Sequence, residues 1–326
     1  MSRPVKDLFW SRGRAHGEGR PTRLGIYTLL VTVVLVLGLN WPVMATGIQA
    51  ITPLWMGAFR VAGAAIVVIT IGVVRGKLAL PLRADLPILI SLAVFRLAAV
   101  FVLVFTALQL VPPGRSSVVV WTTSLWTVPI AAIFLGERMS GRRWVGLLLG
   151  IAGVIVVFEP WSFDWDNRGV ALGHGLLILA AITNAATSVH IRRHRWAITP
   201  LEAIPWQLIG ATALLVVLGL AVEGVPAIHW TPQLILVVLY QGVLATGIAF
   251  WAQIVILRNL SAVSTNLTLM AVPVVGVVSS AILLGEQITV SLAIGLVLVV
   301  IGVAINLLAE KGKEGFGPPV VESGVG

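Results

Sequence analysis

Between residues 24 and 309 the chain is written almost entirely as long apolar runs, and this leaves few folds open. A helix needs about 20 apolar residues to cross about 30 Å of hydrocarbon. Ten stretches qualify: 24–45, 54–74, 86–108, 116–135, 144–158, 170–191, 203–222, 232–257, 262–284 and 289–309. They are continuous, not about ten residues of alternating polarity, which excludes a transmembrane β-barrel. Hydrophobic residues make up 58% of the chain and charged residues 11%, against about 45–50% and 25% in soluble domains. The sequence therefore predicts an all-α integral membrane protein with ten transmembrane helices.

The basic residues set an orientation. With the amino terminus inside, the inner segments hold six arginines and lysines of the tail, then Arg75, Lys77 and Arg83, then Arg138, Arg142 and Arg143, then Arg192, Arg193 and Arg195. The outer loops hold only Arg115 and Arg168. Positive charge stays on the cytoplasmic side, so both termini are expected in the cytoplasm and the protein in the inner membrane. Residues 1–23 and 310–326 read as disordered tails, and 159–169 as an outer linker. The net charge of +9 is thus accounted for by topology, and no nucleic-acid partner is expected. With no cysteine in the chain, thiol chemistry, disulfides and Cys-ligated metals are excluded. No His/Asp/Glu grouping has metal-ligand spacing and no glycine loop cradles phosphate, so neither metal nor cofactor is expected.

A repeat decides the architecture. "AAIFLGER" at 131 returns as "SAILLGEQ" at 280. At the same offset of 149, Phe101 pairs with Phe250, Gly136 and Glu137 with Gly285 and Glu286, and Gly146 and Gly153 with Gly295 and Gly302. "ITPL" occurs at 51–54 and at 198–201, an offset of 147. Each half then holds five helices, an odd number, so the second enters the membrane from the opposite side. Such inverted repeats recur in secondary transporters, with the substrate site near the midplane between the halves. Glu137 and Glu286 fall at opposite edges of the hydrocarbon core, about 30 Å apart. They are read as two copies of one helix-ending device, not as a catalytic pair.

Ten helices in a 5+5 inverted repeat, with Leu-Gly-Glu closing the fourth span of each half and a glycine-rich span after it, resemble the drug/metabolite transporter superfamily and most closely its EamA-type exporters. The resemblance covers residues 24–308, as one five-helix repeat over 24–158 and another over 170–309. Gly136, Glu137, Gly146 and Gly153, and Gly285, Glu286, Gly295 and Gly302, match the two copies of the family motif. Pro273 matches too, while its first-half counterpart, Ser124, departs. Arg60 resembles an arginine found in the second span of these proteins, and its second-half partner is Gln207. The resemblance implies export of small organic metabolites, often amino acids, and leaves the individual substrate open.

Arg96, in "AVFRLAAV", stands ten residues past Leu86, about 15 Å along a helix. An arginine near the midplane costs about 2.5–3.5 kcal/mol on insertion scales and should face the bundle interior or water. It is the first candidate for an anionic group on a substrate, against a structural network as the alternative. Arg60, six residues from the outer end of its expected span, is a second substrate-binding candidate, against snorkelling to the headgroups or a structural role as the alternatives. Asn40 and Trp41 in the first span, and Thr122, Thr123 and Trp126 in the fourth, offer further polar and aromatic faces. Asn184 and Ser188 in the sixth span and Gln241 and Gln253 in the eighth do the same. Each of these faces also serves interhelical hydrogen bonding equally well. Trp55, Trp144, Trp161, Trp165 and Trp230 are expected to anchor at the interface. The Gly146, Gly150 and Gly153 groove is expected to pack helices within the chain, and the protein to be a monomer or homodimer surrounded by lipid. The function predicted is a secondary transporter of a small-molecule substrate and not an enzyme. The alternatives are a membrane enzyme acting on lipid-linked substrates and a carrier of nucleotide sugars or lipids. With no carboxylate deep in a span, facilitated diffusion stands beside proton antiport.

Overall fold

The computed structural model describes residues 23–74, 76, 78, 80–136, 139–162, 168–194, 198, 200–260 and 262–311. Ten helices long and apolar enough to cross a membrane run through it: Leu24–Gly47, Pro53–Val74, Arg83–Ala107, Pro113–Leu135, Gly141–Phe158, Gly169–Arg193, Glu202–Val222, Pro232–Gln253, Thr265–Leu284 and Val290–Ala309. Among the described residues there is no strand. The fifth span starts earlier than hydropathy alone indicates, because Ser140 caps it, its Oγ accepting the Arg143 amide at 3.4 Å. The expected tails lie almost wholly outside the described residues, as do Glu137, Arg138 and Trp165.

Helix pairing follows the repeat. The first span packs on the ninth, and correspondingly the sixth packs on the fourth. The second packs on the eighth, and the seventh on the third. Three further pairs join equivalent helices across the axis: second with seventh, fourth with ninth, and fifth with tenth. The principal pairs of one half thus have counterparts in the other, which is the pairing expected of a 5+5 inverted repeat. Large apolar side chains such as Ile133, Leu148, Leu236 and Ile282 stay exposed, as suits helices whose outer surface meets lipid.

The fifth and tenth spans meet along glycine. A Cβ on Gly302 would stand 2.6 Å from the Gly146 carbonyl oxygen, and one on Gly153 would stand 2.9 Å from that of Gly295. Only hydrogen fits there, so the two backbones touch directly, the usual means of helix association where no hydrophobic driving force acts. The groove anticipated at Gly146, Gly150 and Gly153 is therefore filled by another helix of the same chain.

Irregularities are repeated as well. The third span widens to a π-helix over Leu92–Ala99, and the eighth does so over Tyr240–Ile248. At the offset of 149 the two segments end together and begin within two residues of each other. The fourth span breaks between Trp121 and Thr123, where the Thr122 hydroxyl turns back to the Val119 carbonyl. The ninth breaks between Leu269 and Ala271, one residue from the equivalent place, and Pro273 follows as its helix restarts. Such π turns cost regular hydrogen bonding and gather at functional sites.

Candidate functional site

Two cavities lie between these helices, both in the half of the membrane nearest the chain termini. The first, about 160 Å³, is walled by Leu92, Arg96, Leu97, Ile191, Ile204, Gln207, Leu208 and Phe250. The second, about 170 Å³, is walled by Ser124, Thr127, Val128, Ala131, Arg143, Arg192, Asn266, Asn306 and Leu307. A smaller space of about 40 Å³ between Trp121, Pro273 and Val299 shares Ser124, Asn266 and Leu307 with the second cavity. Among the described residues, the walls of the two larger cavities carry three arginines, Arg96, Arg143 and Arg192, and no carboxylate.

Arg96 is placed by the π-helix of the third span. Its Nη1 donates to Ser188 Oγ at 3.1 Å, and that hydroxyl donates to the Asn184 carbonyl at 2.8 Å. One hydrogen bond of the guanidinium is thus spent on the sixth span, and the side chain lines a mostly apolar hollow whose other polar wall group is Gln207. A carboxylate is the ligand whose geometry matches a guanidinium fork.

Arg60 does not snorkel. It is 6% exposed, with Nε donating to Thr246 Oγ1 at 3.0 Å and Nη1 to Gln241 Oε1 at 3.2 Å and to Met44 Sδ at 2.9 Å. Its guanidinium lies 4.6 Å from the centroid of the Phe101 ring. The side chain turns inward because the eighth span packs on the second at Gly63 and Gly242, where a Cβ on either would stand 3.0 Å from the other's Cα. That close approach brings Gln241 and Thr246 within reach. Trp55 likewise departs from interfacial anchoring: it is buried, and Nε1 donates to the Gly224 carbonyl at 3.0 Å. Trp144, Trp161 and Trp230 are exposed.

The other polar candidates sit in helix contacts. Asn40 and Trp41 are buried, Trp41 against Gly276. Thr122 accepts Trp126 Nε1 at 3.1 Å. Gln241 is fully buried beside Arg60. Neither larger cavity includes Asn40, Trp41, Thr122, Trp126, Asn184, Ser188, Gln241 or Gln253 in its wall. Of the substrate-binding candidates, Arg96 alone lines one. The sequence reading does not single out Arg143, Arg192, Asn266 and Asn306 as site residues, although Asn306, the one amide of an otherwise apolar tenth span, carries the signal.

On the face opposite the chain termini, carboxylates tie helix starts together. Glu286 accepts the Gly114 amide at 2.8 Å and the Arg115 amide at 3.3 Å, capping the fourth span. It is therefore more than the end of its own helix, which Gly285 closes in the left-handed conformation at φ 70°. Glu159 accepts Arg115 Nη2 at 2.7 Å and Thr289 Oγ1 at 3.1 Å. Glu223 accepts the Leu54 amide at 3.1 Å and the Thr52 hydroxyl. Burial pushes the Glu286 carboxyl above the ordinary carboxylate range, although the two amides and the Arg115 charge oppose it. For Glu159 burial also pushes upward, but hydrogen bonds from Ser291, Arg115 and Thr289 and the Arg115 charge hold it below that range. On the terminal face Asp85, wholly buried, accepts the Ile198 amide at 2.9 Å and lies 3.0 Å from His194 Nε2.

A family model described as EamA-like transporter family matches residues 24–159 and again 171–308. The chain belongs to the EamA-like transporter family. Within it, the chain is 26% identical to "Uncharacterized transporter YoaV" of Bacillus subtilis (strain 168), over 85% of this chain and 94% of that one. It is 28% identical to a "Probable amino-acid metabolite efflux pump" of Escherichia coli (strain K12), over 89% of this chain and 96% of that one. A solved crystal structure with 24% identity superposes with a TM-score of 0.62 over 90% of this chain and 100% of its own, a likeness of fold. These EamA-family relatives bear the names of transporters and efflux pumps, and the chain is a multi-pass membrane protein of that transporter type.

Proposed function

We propose that this protein exports small polar or anionic metabolites, amino acids among them, across the cell membrane by alternating access, with both termini in the cytoplasm. The observation that carries the reading is Arg96: a guanidinium near the middle of a span, lining a hollow of about 160 Å³ that is otherwise mostly apolar. A substrate carboxylate meets Arg96 and the Gln207 amide, and a small apolar side chain meets Leu92, Ile204 and Phe250. The relative named as an amino-acid metabolite efflux pump supports this substrate class. The basic residues at the chain ends and inner loops support the cytoplasmic placement of the termini. Access alternates as one half rocks on the other. The cavities face the terminal side while carboxylates tie the opposite face, so this conformation is the one loaded from the cytoplasm.

Reconstitution into proteoliposomes tests the reading, with a panel of amino acids, simple carboxylates, nucleosides and cationic drugs. Carboxylate-bearing compounds are expected to be carried, and Arg96→Ala to lower kcat/KM for them at least about tenfold, the equivalent of about 1.4 kcal/mol. Normal carboxylate transport by Arg96→Ala would sink the proposed site.

A further inference from the structure

The surroundings of Arg60 and of Arg96 are the same place in the two halves. At the offset of 149, Leu92, Leu97 and Phe101 of the third span correspond to Gln241, Thr246 and Phe250 of the eighth. At the offset of 147, Arg60 of the second span corresponds to Gln207 of the seventh. Leu92, Leu97, Gln207 and Phe250 wall the Arg96 cavity. Their counterparts Gln241 and Thr246 accept hydrogen bonds from Arg60, and Phe101 lies under its guanidinium. Each place therefore holds one arginine, one glutamine and one phenylalanine, with arginine and glutamine exchanged between the straight helix and the π-helix.

They differ in what fills them. Around Arg96 there is open space, whereas the Arg60 side chain fills its own nest. Its partners there are neutral: a hydroxyl, an amide oxygen and a thioether. No carboxylate pairs with this buried charge among the described residues, an arrangement that costs free energy unless a counter-charge arrives. Beside it, the fully buried Gln241 has an amide nitrogen with no hydrogen-bond partner. A guanidinium with no carboxylate partner, over the Phe101 ring, thus sits beside an unused N–H donor. These are the groups that a carboxylate requires, and it can take the guanidinium fork in two parallel bonds, which the single neutral acceptors around Arg60 do not.

We propose that Arg60, Gln241 and Phe101 form a second carboxylate site, which opens on the face opposite the chain termini when the Arg96 cavity closes. The substrate anion is held by Arg96 in one conformation and by Arg60 in the other, and the same small apolar side chain meets Phe250 first and Phe101 second. The pseudo-twofold axis relates Arg60 to Gln207 and Gln241 to Leu92, so the two places lie at mirror positions about the midplane. The inference rests on the Arg96 reading.

The test measures entry of 4-methylpentanoate and leucine into proteoliposomes of sorted orientation, from each face separately. Arg60→Gln is expected to raise KM from the face opposite the termini by about tenfold or more, as loss of a charged hydrogen-bonding partner does. KM from the terminal face stays within about twofold, and Arg60→Lys recovers part of the loss. A KM that changes equally from both faces, or from neither, overturns the second site. Arg96→Gln in the same assay reports on the underlying reading: if it leaves terminal-face KM unchanged, the Arg96 site fails, whatever Arg60 does. Should Arg60→Gln not fold, Thr246→Cys in this cysteine-free chain supplies a second measure. A charged, impermeant thiol reagent is expected to label it from the opposite face, and 4-methylpentanoate on that face to slow the labelling. Absence of labelling or of protection overturns the proposal.

Discussion

The Glu286 carboxylate and the Gly114 amide, 172 residues apart, are joined at 2.8 Å across the two halves of the protein. The end of the ninth span thereby caps the beginning of the fourth, supplying an anion to the two free N–H groups of that first turn, Gly114 and Arg115, since Pro112 and Pro113 carry none. A bond of this kind, between repeats and on the face away from the cavities, is placed to act as a latch on that face. Removing a cap costs about 0.5–2 kcal/mol. Glu286→Ala is therefore expected to shift the protein toward the conformation open on the opposite face by about two- to thirtyfold. Thiol labelling at Ser280→Cys, a fully buried position near this end of the ninth span, measures the shift. An unchanged labelling rate would count against the latch.

Acid acts in sequence on two of the carboxylates of this face, Glu286 and Glu159. The folded-state pKa of Glu286 is raised, so its ionised form is lost first as pH falls, above the ordinary value of 4.5. The folded-state pKa of Glu159 is lowered, so the stability it contributes is present above 4.5 and lost only as pH falls below it. Labelling at Ser280→Cys is expected to rise in two steps on acidification. Glu286→Gln abolishes the upper step and leaves the lower one. A single step that persists in Glu286→Gln would show that another group governs the response.

The span count, the repeat and the family were legible in the sequence because each is carried by local pattern. Apolar runs of about 20 residues and glycines in register need no knowledge of side-chain contacts. Arg96 was legible for the same reason, since a charge near the midplane is conspicuous wherever it points. What the sequence hid were relations between distant helices. Arg60 looked near enough to the interface to reach water, and only the glycine contact between Gly63 and Gly242 reveals why it turns inward. Glu286 looked like the end of one helix, and its role at the start of another depends on the third dimension. Asp85, Glu159 and Glu223 were passed over because loop acids give no local sign of the groups they bond.

The seam between the fifth and tenth spans is expected to tolerate no side chain. A Cβ on Gly302 would meet the Gly146 oxygen at 2.6 Å and the Gly150 nitrogen at 2.7 Å, both backbone atoms that cannot rotate away. Gly302→Val should lower stability by about 1–3 kcal/mol, the range for overpacking, and lower the yield of folded protein. Gly175→Ala, with nothing within 4 Å of the added carbon, is the control and should be neutral or slightly stabilising. Thermal unfolding in detergent compares them, and equal midpoints would refute the close contact.

Ser188 is expected to position Arg96. Its hydroxyl donates to the Asn184 carbonyl at 2.8 Å and accepts from Arg96 Nη1 at 3.1 Å, so it ties the guanidinium to the sixth span and directs its other N–H groups toward the cavity. A hydrogen bond to a charged group contributes about 1.5–3 kcal/mol at most, and less where the charge keeps other partners. Ser188→Ala should then raise KM for carboxylate substrates by about three- to tenfold from the terminal face, with kcat little changed. Ser188→Thr, which keeps the hydroxyl, should restore the wild-type KM. The readout separates positioning from packing: Ala removes only one oxygen, so a merely structural Ser188 would leave KM in place and move, if anything, the unfolding midpoint.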